Sequence, residues 1–223
     1  MSESSGPSPA RVRVWDVPTR LVHWSIVLCF IVSWRTGEHG PMDLHRWSGY
    51  VLFGLVFFRL YWGIFGSSTA RFAGFLRGPS TVMDYVRGRW TAIAGHNPLG
   101  ALSVFVLLAL LVAQVTLGLF SVDVDGIESG PLSLYVSFEA GRLAARWHER
   151  VFDLLLWFAG LHVLAVLVYV FVKKQNLLGA MLHGRREYPT QVEPLRPASW
   201  VRFAIGVVVS AALTWAVTQA FQF

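Results

Sequence analysis

Apolar residues in this chain are concentrated in five long segments separated by polar stretches. The segments cover residues 21–34, 44–65, 98–121, 147–172 and 199–221. A helix needs about 20 residues to cross the hydrocarbon core of a bilayer, because each residue adds about 1.5 Å. The last four segments meet this length directly, and the first meets it if its helix begins near Trp15 or Pro18. The pattern therefore predicts five transmembrane helices.

The composition supports this prediction. Hydrophobic residues make up 54% of the chain and charged residues 14%, and the mean hydropathy is +0.50. Ten Trp and sixteen Phe exceed what a small water-soluble core needs, whereas aromatic rings are common at both membrane interfaces. The sequence contains no Gly-rich phosphate loop and no basic run interleaved with aromatics, so we expect no nucleic-acid partner. The expected fold class is an all-α integral membrane protein.

The basic residues predict the orientation of the spans. Cytoplasmic loops of membrane proteins carry an excess of Lys and Arg. Here most basic residues lie in the N-terminal tail and in the second and fourth loops, which share one side of the membrane if four spans intervene. They are Arg11, Arg13, Arg20, Arg71, Arg77, Arg87, Arg89, Lys173, Lys174, Arg185, Arg186 and Arg196. We therefore expect a cytoplasmic N-terminus and, after a fifth span, a C-terminus on the outer side.

Two polar stretches outside the spans carry separate expectations. Residues 1–10 are rich in Ser and Pro, which predicts disorder, and we expect no cleaved signal. Residues 66–96 are too polar and too rich in Gly and Pro to cross a membrane. Within them, residues 81–90 are predicted to form a short helix at the interface.

Histidines are the plentiful candidate metal ligands. Cys29 is the single cysteine, so neither a disulfide nor a cysteine-based metal centre can form within one chain. Two of the seven histidines, His39 and His183, lie in predicted loops and are expected to be solvated. The other five lie in the spans or at their edges: His23, His45, His96, His148 and His162. Each is a functional candidate because ionisable groups at membrane depth are costly, and the alternative for each is a neutral imidazole that bridges two helices.

The spacing of these histidines predicts two pairs. His148 and His162 are 14 residues apart, so they share one helix face at depths that differ by about 21 Å. The topology places His45 near the depth of His148 and His23 nearer to His162. Histidines from two helices can ligate a haem iron axially, so the pairs predict two haems stacked across the bilayer. His23 and His162 are level only if the fourth span tilts or projects beyond the cytoplasmic interface.

Arginines and glycines near these pairs are candidates for the haem environment. Arg59 lies 14 residues after His45 and can pair with haem propionates, although snorkelling to the interface is an alternative. Arg20, at the start of the first span, is a second propionate candidate. Gly49 and Gly118 would let a flat macrocycle approach the backbone, and ordinary helix packing explains them equally well.

Residues 95–100 open the third span. The start of a helix is enough to explain Asn97, as its cap, and Pro98, at its first position. It does not explain His96. We consider His96 and Asn97 candidates for binding quinone, with a midrange pKa of His96 suited to proton exchange, and an interfacial capping role is the alternative.

Several motifs together resemble the bacterial cytochrome b561 family, and in particular its branch containing the b-type cytochrome subunit of nickel–iron hydrogenases. The motifs are VWDVPTRLVHW (14–24), LHRWSGY (44–50), RLYWG (59–63), GHNPLG (95–100), WHE (147–149) and LH (161–162). The resemblance implies a four-helix bundle that binds two b haems through His23, His45, His148 and His162. It also implies a bacterial inner-membrane protein that transfers electrons between quinone and a periplasmic partner, either a cytochrome c or a redox enzyme.

These inferences divide the chain into three parts and leave three functions to compare. Residues 1–12 form a disordered cytoplasmic tail, residues 13–184 the di-haem domain, and residues 185–223 a linker with the fifth span.

The leading hypothesis is an electron-transfer subunit or quinone-linked oxidoreductase. The first alternative is oxidation of superoxide at the periplasmic face, with quinone reduced in the membrane. The second is a non-redox membrane scaffold or transporter.

Overall fold

The computed structural model describes residues 10–76, 78–91, 93–125, 128–188 and 191–220. Eight α-helices and two short strands form within these ranges. The helices are α1 (Val17–His39), α2 (Met42–Phe65), α3 (Phe72–Phe75), α4 (Pro79–Val86), α5 (Pro98–Phe120), α6 (Phe138–Leu167), α7 (Leu177–His183) and α8 (Trp200–Gln219). A single π-helical stretch, Val168–Val172, continues α6, and one turn of 3₁₀-helix covers Ser133–Tyr135.

Five of the described helices are long and apolar enough to cross a membrane, which confirms the predicted number of spans. The first span begins at Val17, close to the expected start, because Asp16 caps α1 by accepting a hydrogen bond from the Thr19 amide. Pro18 in the first turn also favours a helix start there. The short helix expected over residues 81–90 of the second loop forms as α4, which begins earlier, at Pro79, and ends earlier, at Val86.

The spans form two antiparallel hairpins that pack together. Helix α1 packs along α2, α5 packs along α6, and α2 contacts α5 between the two hairpins. Buried Val56, Leu108, Leu111 and Leu155 form an apolar cluster where α2, α5 and α6 meet. Of the long helices in the described part of the chain, α2 is the one with which α8 makes substantial contact. The chain is thus an all-α membrane bundle with the fifth span attached to its side.

Small residues bring α8 close to α2. A Cβ atom added to Gly206 would lie 2.6 Å from the Tyr61 ring, and one added to Gly54 would lie 2.5 Å from Thr214 Oγ1. The Tyr61 hydroxyl also donates a hydrogen bond to the Arg202 carbonyl at 2.9 Å. Close backbone approach at small residues is the usual way that membrane helices associate.

Replacing Gly206 with leucine is expected to separate α8 from α2, because the new side chain would overlap the Tyr61 ring. Overpacking of this kind costs about 1–3 kcal/mol, so the thermal unfolding midpoint in detergent should fall. Val207→Leu is the control, since Val207 is 43% exposed and tolerates a larger side chain. An unchanged midpoint for Gly206→Leu would contradict this packing.

A small antiparallel sheet joins the segment before α1 to the segment after α7. Strand β1 (Ala10–Arg13) pairs with β2 (Arg185–Tyr188), with Arg13 opposite Arg185. Residues 10–12 therefore differ from the expected disordered tail, and residues 185–188 belong to the bundle rather than to a linker. Buried Val12, Val14 and Tyr188 anchor the sheet. Residues 1–9 lie outside the described part of the chain.

We call the end of the bundle that carries this sheet the basic end. There, buried Asp16 connects the start of α1 to the end of α2, because it accepts hydrogen bonds from Trp62 Nε1 at 2.9 Å and from the Ser67 hydroxyl. The amides of Val14 and Trp15 donate to the Gly184 carbonyl. The start of α1 is therefore fixed to the bundle.

The segment Phe138–Val172, formed by α6 and its π-helical end, is longer than a bilayer requires. Its 35 residues correspond to about 52 Å at 1.5 Å per residue, against a hydrocarbon core of about 30 Å. The segment therefore projects well beyond the apolar layer. The extra residues 138–146 lie at the start of α6, at the end of the bundle opposite the sheet, so they do not bring His162 level with His23.

Candidate functional site

His45 and His148 face each other near the end of the bundle opposite the sheet. His45 lies in the first turns of α2 and His148 lies ten residues into α6. Their ring centres are 6.2 Å apart and the ring planes are nearly perpendicular, at 80°. A metal that bonds two imidazoles at about 2 Å each holds their centres roughly 6 Å apart. The first predicted pair therefore forms, with a separation suited to one metal atom.

Both rings are oriented by backbone carbonyls of the preceding helix. His45 Nδ1 is 2.9 Å from the Ser33 carbonyl and His148 Nδ1 is 3.0 Å from the Gln114 carbonyl. A carbonyl only accepts, so each Nδ1 carries the proton and each Nε2 keeps its lone pair. This is the tautomer that binds a metal through Nε2, with a hydrogen bond on the far nitrogen.

A glycine one turn further along gives each ring its space. A Cβ atom at Gly37 would lie 3.0 Å from His45, and one at Gly118 would lie 3.0 Å from His148. The two hairpins thus repeat one arrangement, in which a helix offers a carbonyl and, four residues later, a glycine to the histidine of the next helix. Gly118 makes room for an imidazole, which differs from the expected approach of a macrocycle to its backbone.

Gln114 also contacts His148 through its side chain. The amide nitrogen lies 3.0 Å from His148 Nε2, and the amide oxygen is buried without a hydrogen-bond partner in the described part of the chain. This amide must turn away before His148 Nε2 can bind a metal. The unpaired oxygen means that the present position holds the amide only weakly.

Three histidines gather nearer the basic end. His23 in α1 is close enough to His162 in α6 and to Arg59 in α2 for their charges to act on it. The charges of Arg59, His162 and His23 also act on His96. The Ser103 hydroxyl lies 3.1 Å from His162 Nδ1 and orients that ring. His23 Nδ1 is buried and has no partner among the described residues.

Arg59 is buried, with 9% of its surface exposed. Its Nη1 lies 3.4 Å from the Ala70 carbonyl and its guanidinium lies 5.0 Å from the centre of the Phe72 ring. The negative charge of Asp16 acts on it. Asp16 therefore supplies part of the negative charge that the sequence analysis sought from haem propionates, and the side chain does not snorkel to the interface.

Arg20 lies in a different group of residues. It donates a hydrogen bond to the Leu182 carbonyl, and with Arg11, Arg13, His183 and Arg185 it lines an open cavity at the basic end. The charge of Arg59 acts on His23. Two arginines were proposed for the haem environment. The structure places Arg59 near these histidines and Arg20 at the open cavity.

Gly49 borders open space. A Cβ atom added there would meet nothing within 4 Å. Gly49 follows His45 by four residues, so the two share a face of α2. A flat group beside His45 could therefore approach the α2 backbone at Gly49 without meeting a side chain.

His96 precedes α5 and is enclosed by aromatic rings. Its ring centre lies 4.5 Å from that of Trp15 and 4.6 Å from that of Phe75, and its Nδ1 is buried without a partner in the described residues. Burial is the main cause that lowers the pKa of His96 to about 3, and the positive charge of Arg59 is the next. The expected midrange pKa is therefore wrong, and His96 is neutral at physiological pH.

Asn97 joins two tyrosines that the sequence analysis did not identify. Its Oδ1 caps α5 by accepting from the Gly100 amide at 2.7 Å, and its Nδ2 donates to Tyr85 at 3.2 Å and to Tyr169 at 3.0 Å. The two tyrosine hydroxyls also share a hydrogen bond. Burial and this bond raise the pKa of Tyr85, so its hydroxyl stays protonated. The Asn97 side chain is fully engaged within the protein.

The arginines near His148 are also engaged. Arg142 donates to the Val122 carbonyl at 2.8 Å, and Arg150 lies 5.4 Å from the centre of the Trp147 ring. Arg46 at the same end pairs with the acids Asp43 and Glu128. The two carboxylates offset the charge of Arg46, whereas Arg142 and Arg150 keep their positive charge, because a carbonyl and an aromatic ring carry no net charge.

No three histidine, cysteine or acidic side chains come together as a possible metal site in the described part of the chain. His45 and His148 instead face each other as a pair, and two histidine side chains are a ligand set that could hold a haem iron. A family model described as prokaryotic cytochrome b561 matches residues 14–184. The chain belongs to the prokaryotic cytochrome b561 family.

Membership establishes a multi-pass bacterial membrane protein that binds b-type haem and takes part in electron transfer. Searches of curated proteins and of solved structures found no match. The residues of this cytochrome fit haem, since His45 and His148 are suitably spaced and oriented. The buried, unpaired Nδ1 of His23 and the open space at Gly49 fit as well.

Proposed function

We propose that this b561 cytochrome holds two b haems and transfers electrons between membrane quinone and a redox protein on the periplasmic side. The observation that carries the proposal is the His45–His148 pair, with ring centres 6.2 Å apart and both Nδ1 atoms bonded to carbonyls. Haem supplies reversible one-electron chemistry when it is bound. The histidines hold it and set its orientation.

The second haem in this proposal is held by His23 and His162. The Ser103 hydroxyl orients His162, and electrostatic interaction with His162 indicates that His23 is nearby. Arg59 and Asp16 provide fixed charges beside this pair. A nearby positive charge favours the reduced state of a haem, and it can also pair with a haem propionate. Arg59 would therefore change the reduction potential of the haem whether or not it touches the cofactor.

In this proposal the chain lies in the inner membrane with the basic end in the cytoplasm and the C-terminus in the periplasm. The sheet, the end of α2 and the start of α8 share the basic end, which carries most of the arginines counted above. The positive-inside rule places such an end in the cytoplasm. The pair His45–His148 would then lie near the periplasmic partner, a cytochrome c or a redox enzyme.

The test is a haem assay on the purified protein. We expect two haems per chain and an absorbance spectrum of the b type after reduction. A quinol should reduce the oxidised protein, and an oxidised cytochrome c should then reoxidise it. Absence of haem would leave the scaffold alternative, and one haem per chain would contradict the second pair. Reduction by superoxide but not by quinol or reduced cytochrome c would favour the superoxide alternative.

We propose that His96 and its surroundings form the quinone site. His96 is neutral, its Nδ1 lacks a partner in the described residues, and Trp15 and Phe75 form an aromatic enclosure around it. A neutral imidazole can donate a hydrogen bond to a quinone carbonyl. The low pKa means that His96 orients the quinone and does not store its proton.

Replacing His96 with leucine should slow quinol-dependent reduction about 10-fold or more, the loss expected when a hydrogen bond of roughly 1.4 kcal/mol disappears. Both haems should remain, because His96 is not one of the proposed ligands. His39→Leu is the control, since His39 is exposed at the end of α1. Loss of a haem in His96→Leu would instead make His96 a ligand.

A further inference from the structure

An open cavity of about 330 Å³ lies at the basic end, apart from both histidine groups. It forms where β1, the first turn of α1, the end of α7 and the start of β2 meet. Four arginines and one histidine line it: Arg11, Arg13, Arg20, His183 and Arg185. Such a concentration of like charge is unfavourable by itself, so it indicates an anionic occupant.

The arginines of this cavity are available to a ligand. In the described part of the chain, none of Arg11, Arg13 and Arg185 forms an ion pair with a carboxylate, and all three are exposed. Arg20 spends one hydrogen bond on the Leu182 carbonyl, and its Nε is buried without a partner among the described residues. Glu187, opposite Arg11 in the sheet, is the one acid on that face of β2. Several guanidinium groups around one cavity match the oxygens of a phosphate group.

A second, apolar cavity of about 130 Å³ shares Arg20 with the first. Val17, Leu21 and Trp24 line it from α1, and Met181 and Leu182 line it from α7. The three α1 residues follow each other at intervals of four and three, so they form one stripe along a membrane-spanning helix. Leu21 is 61% exposed on this stripe. An apolar groove therefore leads from the basic cavity along the span.

We propose that the two cavities together bind an anionic phospholipid. The phosphate group lies among the arginines of the basic cavity, and one acyl chain follows the groove past Leu21 and Trp24. Basic pockets between helices at the cytoplasmic side are a known form of anionic-lipid site. A free phosphate would use the basic cavity alone and would leave the groove without a role. The groove is the observation that selects the lipid.

This site also gives the β1–β2 sheet a function. The sheet places Arg11 and Arg13 on one strand beside Arg185 on the other. A lipid phosphate that bridges the strands neutralises their mutual repulsion. Bound lipid should therefore stabilise the pairing of residues 10–13 with the rest of the bundle.

The experiment is native mass spectrometry of the haem-loaded protein in detergent, with phosphatidylglycerol or phosphatidylcholine added. We expect phosphatidylglycerol adducts to form preferentially. The variant Arg11→Gln/Arg13→Gln/Arg185→Gln should bind phosphatidylglycerol on the order of 100-fold more weakly, since each basic residue near a lipid surface contributes about a fivefold factor. The control is Arg71→Gln/Arg87→Gln/Lys174→Gln, which removes the same charge at exposed positions outside the cavity.

A second variant tests the groove without changing any charge. Leu21→Trp should fill it and weaken phosphatidylglycerol binding several-fold, and its exposed position makes misfolding no concern. Equal binding of the two lipids, or equal losses in the triple variant and its control, would overturn the proposal. Displacement of phosphatidylglycerol by inorganic phosphate at comparable concentration, with Leu21→Trp unaffected, would identify a phosphate site instead.

Discussion

Replacing either His45 or His148 with alanine is expected to leave one haem per chain and to remove the same haem in both variants. The two rings lie 6.2 Å apart, and each is oriented by a backbone carbonyl, so neither histidine has a substitute partner. Either variant would keep one of the two side chains proposed to hold this haem, which is too few to retain it. Both variants should therefore show the same residual spectrum, that of the haem nearer the basic end.

The measurement is the haem-to-protein ratio together with the reduced-minus-oxidised spectrum of each variant. His39→Ala is the matched control, because His39 is an exposed histidine at the same end of the bundle. A ratio of two in either variant, or different residual spectra in the two, would show that the pairing is wrong. Reoxidation by cytochrome c should slow at least 100-fold in both variants if the lost haem faces the periplasm, a barrier increase of about 3 kcal/mol.

The spans were predictable because a bilayer imposes one length and one polarity on every helix that crosses it. All five apolar segments correspond to helices, and the cap formed by Asp16 extends the first one to the required length. The start of α6 was placed at residue 147 and lies at Phe138, since the helix continues out of the apolar layer through residues that hydropathy does not reveal. The prediction located the part of α6 that the membrane constrains.

The spacing of the histidines in the sequence predicted their depths along the helices. The interval between His148 and His162 indicated two levels. The structure brings the His45 and His148 rings together, and the pairing of His23 with His162 stays a prediction. The groups around them were not predicted. Ser33 and Gln114 act through backbone carbonyls, to which any residue type contributes equally, so no side-chain pattern marks them. Gly37 and Gly118 each lie four residues after one of these carbonyls, a relation that is visible only once the structure has located the carbonyls.

Contacts between distant parts of the chain account for the remaining differences. Strand β1 exists because β2, more than 170 residues later, supplies its hydrogen bonds, and local composition indicated only a disordered tail. The pKa of His96 depends on Trp15, Phe75 and Arg59, which reach it from other elements. Charge-based reasoning paired Arg59 with a propionate because Asp16, whose charge acts on Arg59, lies at the start of another helix, and sequence alone did not bring the two together.

Replacing Gly49 with leucine is expected to remove the haem at His45 and to leave the protein folded. No protein atom lies within 4 Å of a Cβ at this position, so the polypeptide itself offers no obstacle to the side chain. Leucine also favours a helix over glycine by about 0.8–1 kcal/mol. The substitution is harmful only if the open space beside His45 belongs to the cofactor. The expected product is a chain with unchanged or raised thermal stability in its haem-free form and one haem fewer after loading.

Gly160→Leu provides the matched control for this variant. A Cβ at Gly160 also meets open space, but Gly160 precedes His162 by two residues, a rotation of about 200° that turns it to the other side of α6. Leucine there should face lipid and leave two haems. Retention of both haems in Gly49→Leu would place the macrocycle on another side of His45, whereas loss in both variants would mean that the bundle itself had changed. Comparing the two thus separates the space that the cofactor needs from the space that the membrane fills.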